Sequence, residues 1–87
     1  MALKTFTASR APAAGDGKCL QGWYLSSGGV ALVVNFCNGP SAAPTFQVQL
    51  PVNSSSSQAY PQPMPVFPNG CHVEVVSGTL NRGAIDI

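Results

Sequence analysis

The chain has 87 residues, of which four are Lys or Arg and three Asp or Glu, for a formal net charge of +1. At this length it makes one domain, 1–87, that exposes on the order of 4,900 Å² and so carries about one charge per 700 Å², where ordinary globular chains are about a quarter charged. That excludes a basic footprint for nucleic acid, and the longest aliphatic run, Val30-Ala31-Leu32-Val33-Val34, is too short to cross a bilayer.

The predicted elements begin with a strand over Leu3 to Ala8, followed by a small, polar, Gly-containing loop from Ala11 to Lys18. Leu20 to Leu25 and Val30 to Phe36 read as two strands. Ser26-Ser27-Gly28-Gly29 between them reads as a hairpin turn, because glycine reaches positive φ at little cost. Asn38 to Pro44 is a loop opened by the turn signal Asn38-Gly39-Pro40. Thr45 to Val52 is the clearest strand: Phe46, Val48, Leu50 and Val52 face one way and Thr45, Gln47, Gln49 and Pro51 the other.

Val52 to Pro68 reads as an extended Ser/Pro-rich arm. Ser54 to Ser57 lend it flexibility, whereas Pro61, Pro63, Pro65 and Pro68 remove backbone donors and hold it extended, so it is not a central strand. It either closes its own domain as a surface loop or reaches a neighbour through Tyr60, Met64, Val66 and Phe67 as apolar anchors. Cys71 to Val76 and Leu80 to Ile87 form a second hairpin around Ser77-Gly78-Thr79. No helical period survives eight prolines and nine glycines. Five to six short antiparallel strands therefore define an all-β fold, a small β-sandwich or barrel. The edges of such sheets stick unless covered or charged, and with charges scarce another subunit is the expected cover.

Three cysteines are too few, and odd in number, for a disulfide scaffold. The opening Met1 to Phe6 lacks the apolar stretch of a secretory leader. The expectation is synthesis in a reducing cytoplasm, with the thiols as small buried hydrophobes and oligomerisation supplying the stability that so short a chain lacks.

No catalytic constellation emerges. His72 and Glu74 share one face of a strand while Cys71 points to the other, and neither Cys19 nor Cys37 is spaced to complete a metal site with them. No serine sits in a Gly-x-Ser-x-Gly elbow, and Gly15-Asp16-Gly17-Lys18 leads into a strand rather than into the helix that a phosphate loop needs. Asp16, Glu74 and Asp86 are not placed as a paired-carboxylate cleft. The chain is expected to be no enzyme and to need no cofactor or metal. Trp23 and Tyr24, adjacent on a strand, face opposite ways, one into the core and one outward, where it would contact a glycan or protein partner. Arg10 and Arg82 are the candidates for polar anchoring, since a guanidinium clamps a carboxylate at two points.

The C-terminal third, from Met64-Pro65-Val66-Phe67-Pro68-Asn69-Gly70 through Cys71 to Val76, Ser77-Gly78-Thr79 and the last strand ending Ala84-Ile85-Asp86-Ile87, resembles small structural proteins of tailed bacteriophages. In those a Pro-rich stretch leads to Phe-x-Asn-Gly, a strand, a Ser-Gly turn and a final strand. The segment from Gly22 to Asn35 fits the same pattern, so the likeness covers about two thirds of the chain; the cysteines and the length of the arm depart from it. The resemblance implies a virion structural protein made in the bacterial host cytoplasm, similar to the capsid decoration or cement proteins that bridge major capsid subunits, with a homotrimer favoured. Tyr60, Met64 and Phe67 would then be contact residues. The alternatives are a neck, tail or fibre component, a head protein that binds glycans through Trp23 or Tyr24, and, further off, a small cytosolic enzyme or metal-binding domain using Cys71, His72 and Glu74.

Overall fold

The structure is a computed structural model that describes residues 3–39, 43–60 and 65–87. Among these residues the chain is all-β, with seven strands: β1 (Leu3–Phe6), β2 (Gly22–Ser27), β3 (Leu32–Asn38), β4 (Pro44–Leu50), β5 (Ser55–Ala59), β6 (Cys71–Ser77) and β7 (Leu80–Asp86). They form two antiparallel sheets, ordered β1-β7-β2-β5 and β4-β3-β6, packed as a sandwich.

The alternation in β4 appears as read. Phe46, Val48 and Leu50 turn inward while Thr45, Gln47 and Gln49 are exposed. Val52 departs from it, because the strand stops at Leu50 and leaves Val52 49% exposed in the following turn. β3 lies between β4 and β6 and is buried almost throughout, Asn35 included, while Val30 and Ala31 of the apolar run precede it and are exposed.

Both expected hairpins are corrected. β2 and β3 lie in different sheets, and so do β6 and β7, so each Ser/Gly turn carries the chain across the core instead of to the adjacent position in one sheet. Turn residues signal a reversal but do not specify its plane. Here the two crossings pack on each other: Gly28 N–H donates to the Thr79 carbonyl at 3.0 Å and Thr79 N–H to that of Val30 at 3.4 Å. Gly78 has φ +89°, and a side chain there would overlap the Ala31 carbonyl. Glycine is therefore required at Gly78 both for its conformation and for space.

The Ser-rich half of the arm is also corrected. Ser55–Ala59 is a strand, β5, with Ser55 opposite Ser26 and Ala59 opposite Gly22. Serine has little intrinsic strand preference, but β2 supplies the pairing partner and the tertiary context overrides it. Residues 65–67 lie against the chain's own Lys18–Leu20 segment, with Leu20 N–H donating to Pro65 at 2.9 Å and Phe67 N–H to Lys18 at 2.7 Å. The described parts of the arm thus close their own sandwich.

The core is built on stacked aromatic rings. Phe36 and Phe46 stack at a 4.6 Å centroid distance, with Trp23 at 6.0 Å from Phe36 and Phe67 at 6.4 Å from Phe46. Leu25 and Ile85 of the four-stranded sheet and Val34 and Val73 of the other enclose them.

The N-terminal segment ties the two sheets together along one side. β1 pairs with β7, and the chain then changes layer so that Arg10 exchanges two backbone hydrogen bonds with Val73, at 2.8 and 2.9 Å, along the outer edge of β6.

Candidate functional site

The side chains singled out in the sequence do not form one site. Phe67 is fully buried in the aromatic core and is corrected from contact residue to core residue. Its strand-like neighbour Val66 is 55% exposed and remains available for contact. Val66 pairs with Cys19 in an isolated antiparallel bridge, and the period-two alternation there places Val66 and Phe67 on opposite sides of the segment. Tyr60 is half-buried against the core, and its hydroxyl accepts a hydrogen bond from Trp23 Nε1 at 3.1 Å. Both rings therefore support the sandwich. Met64 lies outside the described residues.

Arg10 does clamp a carboxylate at two points, but the carboxylate belongs to its own chain. Its two guanidinium nitrogens reach the two oxygens of Asp16 at 2.9 Å each, and the side chains are only 15% and 4% exposed. The Ala13 N–H also donates to Asp16 at 3.1 Å. These hydrogen bonds hold the Asp16 carboxyl below the usual carboxylate range, with the bond from Arg10 the largest cause, although burial works the other way. The pair locks the loop after the N-terminal segment and offers nothing to a partner.

Two features face outward. On the four-stranded sheet, Tyr24 is 38% exposed. Its cross-strand neighbours are Ala84 and Ser57, so the ring stands above a floor of small side chains. Arg82 lies opposite Ser26 on the same face and is exposed, beside a shallow depression that Thr5, Phe6 and Thr7 complete. An aromatic ring on a flat surface with one guanidinium nearby can stack on a sugar or a peptide group and bond its oxygens.

On the three-stranded sheet a row of amides crosses the outer face. Gln49 Nε2 donates to Gln47 at 2.8 Å, Gln47 Nε2 to Asn35 at 2.8 Å, and Asn35 Nδ2 to Glu74 at 3.3 Å. Each donor points toward the carboxylate, so the row is polarised along its length. Sequence reading missed this row; the signal was the polar side chains alternating in β4.

Cys71 is buried and His72 and Glu74 lie on the opposite face of β6, so the strand separates the thiol from the other two. Burial pushes the Cys71 thiol up to about 12 and raises that of Cys37 as well. Cys19, expected to be buried, is exposed. Among the described residues no three of His, Cys, Asp and Glu stand close enough to hold a metal ion, and no helix is long and apolar enough to cross a membrane. No protein-family model, no curated protein and no solved structure matches the chain.

Proposed function

We propose that this chain is a virion structural protein, a capsid decoration or cement subunit that bridges and stabilises the major capsid protein as a homo-oligomer, with a trimer favoured. The observation that carries the proposal is the composition of the molecular surface. A sandwich of 4600 Å² with four basic and three acidic residues is finished in Ser, Thr, Asn, Gln and apolar side chains, and one basic and one acidic residue of the seven, Arg10 and Asp16, neutralise each other internally. Such a surface suits permanent contact, in which uncharged groups hold against changing salt and several weak contacts from one oligomer act together. On this reading Val66 and Arg82 are contact residues, while Tyr60, Trp23 and Phe67 hold the sandwich rigid.

The test is compositional analysis of purified particles from the source that encodes the chain. The expected result is the protein on the head shell at a copy number commensurate with the capsomers, and heads lacking it that rupture at lower temperature. Its absence from the particles would overturn the reading.

A second reading rests on Tyr24 and Arg82: a head, tail or fibre protein that binds a cell-surface glycan. It expects the free protein to bind glycans and to lose that binding in Tyr24→Ala. A decoration protein is expected to bind its capsid lattice and to show no glycan affinity of its own.

A further inference from the structure

The two lateral sides of the sandwich differ. On one, the four-stranded sheet ends in β1, an edge of only 4 residues that carries Lys4, and the Ser9–Arg10 segment covers the edge of β6, where Ser9 Oγ also accepts the Val75 N–H at 2.9 Å. On the other, β4 ends one sheet and β5 ends the other. Among the described residues no strand pairs with the outer edge of either. The two lie on the same side because Pro51–Ser54 joins them directly, with Asn53 N–H donating to Gly28 and Ser27 N–H to Ser54.

Open edges carry unpaired backbone donors and acceptors, and proteins that remain monomeric blunt them with lysines, inward charges, prolines or bulges. Here the last charged residue before this side is Lys18 and the next is Glu74. All the charges thus sit on β1, the N-terminal segment, its following loop, β6 and β7. Pro44 and the register shift beside it affect only the first turn of β4; the register from Phe46 to Leu50 is regular. The register of β5 is regular over all 5 of its residues. Between the two edges Phe46 and Val48 are only half-buried, whereas Val34 and Phe36, one strand further in, are fully covered.

We propose that β4 of one copy pairs antiparallel with β5 of a second copy, closing a ring about an axis parallel to the strands. The occupant is a second copy because the two edges complement each other. Both lack charge, so a charged foreign strand finds no opposite sign there. They run in opposite directions, so copies that share one orientation bring β4 against β5 in the antiparallel sense. Each copy uses both edges, and the ring leaves neither open.

The register follows from the period of two. Gln47 and Gln49 face outward on β4, and Ser55 and Ser57 face outward on β5, since Ser57 is opposite the exposed Tyr24 and Ser56 opposite the buried Leu25. Outer residues must meet outer residues. Pro51, beyond the end of β4, cannot donate to a ladder. Of the registers that satisfy both, the one that keeps all of Ser55–Ala59 opposite Pro44–Leu50 sets Gln47 opposite Ser57 and Gln49 opposite Ser55, and it carries the amide row of one copy onto the serines of the next.

This inference shares with the proposed function the expectation of a homo-oligomer and supplies its interface, but it concerns only copies of this chain and its test uses no capsid, so it can fail while the capsid reading stands. In a Cys19→Ser background, the double variant Gln47→Cys/Ser57→Cys is oxidised mildly and run without reductant. Within one copy the two positions lie on outer faces of different sheets and cannot bond, so any bridge joins copies. The expected result is a ladder that ends at the mass of the closed oligomer, with the single-cysteine variants leaving that ladder absent. Gln47→Lys/Ser57→Lys, which sets like charges opposite each other at two exposed positions, is expected to lower the solution mass to that of one copy while its melting transition stays cooperative. No bridge in the double variant, or an oligomer that survives the paired lysines, would overturn the proposal.

Discussion

Val66 and Phe67 are neighbours with opposite fates, and substitution separates them. Phe67→Ala removes a fully buried ring from the aromatic core and is expected to cost about 3–5 kcal/mol, read as a large fall in the denaturant midpoint. Val66→Ala is expected to change stability by less than about 0.5 kcal/mol. The Arg10–Asp16 pair is the other particular on which the fold depends. Arg10→Ala leaves a nearly covered carboxylate without its charged donor and is expected to cost about 2 kcal/mol. Because the Asp16 carboxyl ionises more readily in the folded chain than in the unfolded one, its contribution is complete above the unfolded value and is lost as the pH falls through the folded one. The stability gap between the native chain and Asp16→Asn should therefore be constant near neutrality and shrink below about pH 4. A gap that stays constant on acidification would contradict the assignment. Among the thiols, one exposed and two buried, only Cys19 is expected to react rapidly with a thiol reagent in the native state, with Cys37 and Cys71 reacting on unfolding.

Among the elements, the crossing at Gly78 is the most constrained. Gly78→Ala is expected to destabilise by more than about 1 kcal/mol, because φ is positive and the added carbon meets the Ala31 carbonyl. A variant as stable as the native chain would show that the crossing relaxes freely. Gly29, with open space around it, is the control. How far these elements were legible in the sequence depends on whether their signal is local. The alternation of β4 and the opposite facing of Trp23 and Tyr24 follow from successive side chains alone, and both appear in the structure. The sheet membership of β2, β3, β6 and β7 depends on which strand each one meets, and turn residues such as Ser77-Gly78-Thr79 do not encode that. β5 was hidden because four serines read as flexible, although their pairing comes from β2. Phe67 was misjudged for the same kind of reason: prolines on either side mark an extended segment but do not show which of its side chains turns inward. Of the candidate site, Arg10's two-point clamp was legible from the chemistry of its side chain, whereas its partner, Asp16, became apparent only once the loop was folded.

The whole molecule is an asymmetric sandwich, with one side bordered by its own N-terminal segment, including the short, Lys4-bearing β1, and the other ending in two uncharged strands, and the charges lie toward the N-terminal side. That segregation unites the scarcity of charge, the half-buried Phe46 and Val48, and the proposed role in a virion. The deciding measurement is the solution mass of the full-length chain by light scattering over a wide dilution series. The account expects a fixed multiple of 9.0 kDa that persists on dilution, as a closed ring of β4–β5 pairs requires. A steady 9.0 kDa particle at every concentration would mean that the open edges stay open, and would contradict the account.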